Sequence, residues 1–353
     1  MAPVFLLQDI IQDHILTRLP IKSLIRCRCV CKLWNSLFFN TRFALSHFKH
    51  SISQNPNDDY LITINTFQGT SRCVISLLSR TNLSESRLVK IPYPLSSNVD
   101  DIYLVGSING LVCIVFLKGL NYYFILWNPA THYFSKTILL PRRGPVIFSY
   151  PVAYLFGFGW DFTTDDVKLI ANPSSSLQLR AVVYSRKTDS WSTNVTVSKI
   201  SPLNISRCRS PCVIVKGIPY WNFPRISQEI IKFDVRTNEF SRMCPFPFTQ
   251  NFSLVNIDDS LGLIQYGSTS FVYGFNEEAN CWSKMHSVYS SNVNVVNVPT
   301  LGSKYGGEIV LNGNENILYD RRSNQIRSID YNNRGFSVHG SSYTPSLLSP
   351  EGV

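Results

Sequence analysis

The chain has 353 residues, is 44% hydrophobic and 13% aromatic, and carries only 16% charged residues with a formal net charge of +10. These values describe a folded protein, long enough for one small module and one large domain. No apolar run reaches membrane-spanning length, and the patch Val4–Leu7 is too short for a secretory signal and lacks a preceding charge, so a cytoplasmic or nuclear protein with no membrane partner is expected.

Residues 5–50 read as a helical module. Ile11, Ile15 and Leu19 recur at i, i+4 and i+8, with Leu16 beside them, so the first helix has one apolar side. Pro20 stops it, because the ring removes a backbone donor and biases the preceding residue toward extended geometry. Ser23 is expected to cap a second helix. On that helix Leu24, Cys27, Cys31 and Trp34 share one face, and Val30, Leu33 and Leu37 form a second stripe. Two stripes on a short helix call for burial on two sides. Seven basic residues against two acidic ones give the first fifty residues +5 of the total +10. The basic residues lie between apolar positions and form no DNA-binding motif, so an acidic protein partner is favoured over nucleic acid.

The run Arg18-Leu19-Pro20, Lys22-Ser23-Leu24, Arg26-Cys27-Arg28-Cys29-Val30-Cys31-Lys32, Trp34 and Leu37, followed by Phe43 and His47, resembles a plant F-box. Leu6-Leu7 stands where that family usually opens with Leu-Pro. The resemblance implies docking onto a Skp1-like adaptor and, through it, onto cullin-1 in a ubiquitin ligase. By the same match Leu19, Pro20, Ser23, Leu24, Val30, Cys31, Lys32 and Trp34 form the adaptor surface or its support. The competing reading is that these apolar residues pack against the downstream domain.

Residues 51–58 read as a connector, and 51–94 as that connector plus a degenerate first β unit. From 95 to 335 the chain is all-β and repeats: an apolar strand, a turn with an acidic or amide residue and Ser or Thr, then an aromatic opening the next strand. Copies run at 125–134, 183–191, 231–240, 272–282 and 317–326, with Val74–Leu88 as a degenerate one. The spacing is about 42 to 57 residues, a blade-like period. Gly-marked strands precede the copies, as at Gly106–Cys113 and Phe156–Trp160. The expected fold is therefore mainly β, a short helical module followed by a propeller-like domain of about six blades. Gly106–Cys113, Trp127-Asn128-Pro129, Phe156–Ile170 and Tyr184–Trp191 resemble the plant F-box-associated domain, which implies a substrate-recognition role. Paired glycines of the kelch type are absent. Residues 336–353 read as a loose tail.

No motif points to catalysis. The six histidines are scattered, and Asp165-Asp166 reads as a solvated hairpin turn. Gly157-x-Gly159 lacks the third glycine and the helix of a phosphate loop. The nine cysteines show no metal-ligand spacing and read as reduced, buried thiols. No cofactor or metal is expected. The sequence thus points to a non-catalytic substrate receptor of a Skp1–cullin–F-box ligase that captures an unknown target protein through its β domain. The alternative is a Skp1-binding or stand-alone propeller module for a protein or sugar ligand, without a ligase role.

Overall fold

The computed structural model describes residues 10–54, 60–66, 73–79, 86–89, 99–141, 155–172, 180–192, 195–196, 212–222, 230–243, 246, 252–265, 269–289, 308–312, 316–320, 325–329 and 337–351. Leu6-Leu7, Cys208, Cys244 and positions 55–58 of the expected connector lie outside them.

The module opens irregularly. Ile11–Ile15 winds as a π-type turn and Leu16–Arg18 as a 3₁₀ turn. Leu19 is extended, with φ −79° and ψ 145°, as a residue before proline should be. Pro20 then stands at the N-cap of α1 (Ile21–Cys27). Ser23 is not the cap; it lies inside the first turn, where its amide donates to the Pro20 carbonyl at 2.9 Å.

The single second helix expected from the sequence is two helices. After α1 the chain turns through Arg28, Cys29 and Val30, and Cys31 is extended at φ −158°. Its sulfur accepts the Trp34 amide at 3.4 Å and so caps α2 (Lys32–Leu37). Cys and Val are weak helix formers, and the thiol offers the backbone a competing partner. A third helix, α3 (Thr41–Gln54), starts where the Asn40 side-chain oxygen accepts the Phe43 amide at 3.2 Å. It continues through Gln54, so positions 51–54 of the expected connector are helical. Leu16, Leu24, Phe38, Phe43, Ala44 and Phe48 are buried.

Among the described residues the β domain comprises six antiparallel sheets. The first holds β1 (Tyr60–Thr66), β2 (Cys73–Ser79) and β3 (Ser86–Val89). The second holds β4 (Asp101–Ile108), β5 (Leu111–Lys118), β6 (Asn121–Asn128), β7 (Tyr133–Phe134) and β8 (Ile138–Leu139). The third holds β9 (Leu155–Asp161), β10 (Asp166–Asn172), β11 (Arg180–Ser185), β12 (Ser190–Trp191) and β13 (Val195–Thr196). The fourth holds β14 (Val213–Val215), β15 (Ile218–Asn222), β16 (Ile230–Asp234) and β17 (Glu239–Arg242). The fifth holds β18 (Phe252–Ile257), β19 (Ser260–Gln265), β20 (Thr269–Asn276) and β21 (Cys281–Tyr289). The sixth holds β22 (Glu308–Asn312), β23 (Asn316–Asp320) and β24 (Gln325–Ile329). Each recurring sequence unit forms part of one sheet, and the degenerate copy at 74–88 falls on β2 and β3.

The expected loose tail is instead a strand. β25 (Ser337–Tyr343) pairs with β1 from Tyr343 opposite Tyr60 to Ser337 opposite Thr66. The last described strand thus completes the first sheet and joins the two ends of the β domain, covering the edge of β1. Beyond it Ser346, Leu347 and Leu348 are buried. A Gly/Ser/Pro composition reads as loose only when nothing pairs with it.

Side chains stitch the sheets together. The Trp191 indole N–H donates to the Leu139 carbonyl of the preceding sheet at 2.9 Å. The Trp221 indole N–H does the same to Phe156 at 2.9 Å, and Asn222 donates to Phe252 O at 3.1 Å. Gly157 makes room for the Trp221 ring: a Cβ there would lie 2.4 Å from it. The tight turns are closed as the Asx pattern predicts. Asp234 Oδ1 accepts Arg236 N at 2.8 Å, and Asn276 Oδ1 accepts Ala279 N at 2.9 Å.

Candidate docking surface on the helical module

The sequence-predicted residues separate into support and surface. Leu24 is fully buried, so it supports the module from inside. Leu19, Ser23 and Trp34 are half-buried. Pro20, Cys31 and Lys32 are exposed, and Val30 is 64% exposed. Leu33 at 50%, Ile15 at 50% and Ile10 at 45% add exposed apolar surface. Of these, Leu33 belongs to the predicted second stripe and Ile15 to the predicted apolar side of the first helix. The irregular winding turns Leu16 inward and Ile15 outward, which 3.6-residue periodicity does not anticipate.

Lys22, Arg26 and Lys32 are exposed between these apolar positions. Arg28 behaves differently. Its guanidinium lies 4.5 Å from the Phe39 ring centre and 5.2 Å from that of Tyr133, and its Nε donates to Asn35 Oδ1 at 3.3 Å. The sequence offers no local signal for this contact, since Tyr133 lies more than a hundred residues away.

His47 holds the surface from behind. It is 2% exposed, and its Nε2–H donates to the Leu19 carbonyl at 2.8 Å, tying α3 to the residue before Pro20. A carbonyl only accepts, so Nε2 carries the proton and Nδ1 is bare. Burial pushes the imidazole below its ordinary value of 6.5, outweighing the Leu19 bond that favours the charged form, and nearby His50 lowers it further.

Cys29 and Cys31 are exposed rather than buried, because they sit in the break between helices. Cys281 is exposed as well, and among the described residues Cys113 and Cys212 are the buried thiols; burial raises both, Cys212 to about 12. Among the described residues no cluster of three metal-ligating side chains occurs. No described helix is long and apolar enough to cross a membrane.

Of the two carboxylates singled out in the β domain, Asp165 lies in the turn and Asp166 opens β10. Asp165 accepts the Trp160 indole N–H at 3.1 Å. Asp166 is buried rather than solvated and accepts from Ser185 Oγ at 2.6 Å and Lys187 N at 3.0 Å. Asp161 is also buried. Burial alone would raise its carboxyl, but the hydroxyls and amides of Thr163 and Thr164 hold it down to about 2.

Residues 6–45 match the model of the F-box domain, and residues 70–349 match that of the F-box associated beta propeller domain. The chain belongs to the F-box-associated β-propeller family. An F-box/kelch-repeat protein of Arabidopsis thaliana is 26% identical over 300 residues, covering 78% of each chain. A second F-box/kelch-repeat protein of that plant is 26% identical over 336 residues, covering 88% of this chain and 82% of the other. The crystal structure of TolB from Acinetobacter baumannii shares the fold, with a TM-score of 0.53 at 11% identity over 86% of this chain and 72% of TolB. These findings bring an F-box and an associated propeller onto one chain, in the order read from the residues.

Proposed function

We propose that this chain is the substrate-recognition subunit of a Skp1–cullin–F-box ubiquitin ligase. The F-box module docks a Skp1-like adaptor, the adaptor brings cullin-1, and the propeller captures a target protein. The observation that carries this reading is the F-box match at residues 6–45 on a module whose folded helices leave Pro20, Val30 and Leu33 exposed among Lys22, Arg26 and Lys32. Exposed apolar residues grouped in this way mark an interaction surface, and basic residues among them favour an acidic partner. In this role the chain supplies no acid, base or nucleophile. It accelerates ubiquitin transfer by holding the target near the charged conjugating enzyme, which raises the effective concentration of the reacting groups.

The test is co-purification with a Skp1-like adaptor. Val30→Glu with Leu33→Glu alters only exposed positions, so the fold should persist while adaptor capture falls at least tenfold. Undiminished capture would sink the docking claim. Affinity capture under proteasome inhibition then separates a receptor from a plain binding module. Loss of the protein should lengthen the half-life of at least one partner held by the propeller, and unchanged turnover of every such partner would leave only the binding role.

A further inference from the structure

The turn after β6 joins three parts of the molecule. Asn128 is fully buried, and its side-chain amide is fully used. Nδ2 donates to the carbonyls of Ser346 at 3.0 Å and Leu348 at 2.8 Å. Oδ1 accepts the Ala130 amide at 3.0 Å and the Tyr343 hydroxyl at 3.4 Å. The turn therefore grips the C-terminal segment that follows β25. Gly110 also fits this segment closely, since a Cβ there would lie 2.3 Å from Ser346 Oγ.

The same turn presents Tyr133 to the helical module. In the equivalent turns of the third and fourth sheets Ser190 and Glu239 stand where Tyr133 does, and the aromatic residue that follows them, the counterpart of Phe134, packs into the β domain. Trp191 contacts Phe124 of the neighbouring sheet at 5.7 Å, and Phe240 packs on Phe233 at 4.8 Å. Tyr133 is 42% exposed and meets Phe39 at 5.9 Å and the Arg28 guanidinium at 5.2 Å. His132 beside it has φ +62°, the left-handed turn position that Asp189 and Asn238 occupy in the next two sheets at φ +50° and +59°. Leu16, Leu24 and Phe38 of the module and Leu347 and Leu348 of the C-terminal segment belong to one continuous apolar cluster with the second, third and fourth sheets.

We propose that the turn Asn128–Tyr133 is a joint that sets the direction of the F-box module on the propeller, with Arg28 and Tyr133 as positioning residues. Arg28 and Phe39 belong to the module and Tyr133 to the second sheet, so their stack resists rotation of one against the other. Asn128 holds the C-terminal segment against the same turn. The arrangement gives Arg28 a role other than contact with an adaptor. It rests on the ligase reading only for its consequence, that a fixed module directs ubiquitin to a fixed region of the captured target.

Small-angle X-ray scattering of the full chain tests the joint. It is measured alone and with a Skp1-like adaptor bound as a lever, for wild type and for Tyr133→Ala, Arg28→Ala and Tyr133→Phe. Wild type and Tyr133→Phe should fit one compact arrangement. Tyr133→Ala and Arg28→Ala should enlarge the maximum dimension and require several module orientations, while thermal unfolding stays cooperative and adaptor capture stays within twofold. A wild-type profile for Tyr133→Ala overturns the proposal, as does an equal change in Tyr133→Phe. If wild type captures no adaptor, the ligase reading fails, and the profiles of the free chain still decide the joint.

Discussion

In the propeller Trp127, Trp160 and Trp221 are at most 1% exposed, and the Trp221 indole N–H reaches across to the neighbouring sheet. In the module Ile10, Ile15, Val30 and Leu33 are 45% to 64% exposed. Both regions are rich in apolar residues and dispose them in opposite ways. The first five sheets pack most of their described hydrophobic residues against one another. Helices of seven, six and fourteen residues cannot enclose all their apolar positions. Among the described residues these positions stay uncovered, and the proposed docking surface rests on that shortfall.

Trp221→Ala should produce the largest effect on this contrast. Removing the fully buried ring should cost about 3–5 kcal/mol and break a bond between the third and fourth sheets. Thermal unfolding followed by tryptophan fluorescence checks it, with adaptor capture at low temperature largely retained. Equal loss of both functions would show that the module has no independent integrity. A smaller effect is expected for Asn128→Ala, which strands buried carbonyls of the C-terminal segment at a cost of about 2–3 kcal/mol. Hydrogen exchange at 344–350 should rise more than exchange at β15 or β16; a uniform rise would deny the segment a separate hold on this turn.

An acid titration should give the mildest separation. His47 sits below its unfolded value, so it costs nothing above pH 6.5. Below that pH the unfolded chain binds a proton that the buried ring resists, and module stability falls. Asp161 is depressed from 3.8 to about 2, so its contribution is present above pH 3.8 and is lost as pH falls through 2. Helical ellipticity should therefore soften from pH 6.5 downward while tryptophan fluorescence of the propeller holds until below pH 4. Simultaneous loss of both signals would contradict it, and His47→Leu should remove the earlier change.

Much of this was legible from local pattern. Pro20 ends its segment because a ring cannot continue a helix, whatever surrounds it. The Asx turns at Asp234 and Asn276 close on themselves, so spacing alone located the outer hairpins. The break at Arg28–Cys31 was not legible, because the apolar spacing of one helix survives on two. Ile15 and Leu16 share one apolar side in the pattern, and the irregular first turns bury only Leu16.

The sequence by itself determined the family, the order of module and propeller, and the repeating sheets, since each depends on interactions within a few residues or on periodic burial. Tertiary structure alone decided the fate of residues 337–351 and of Tyr133. A strand's state depends on whether an edge awaits it, and β1 supplies that edge from nearly three hundred residues away. Tyr133 became a contact for the module because Arg28 and Phe39 lie over it. No local propensity encodes such a meeting, because it depends on the packing of two regions distant in the chain.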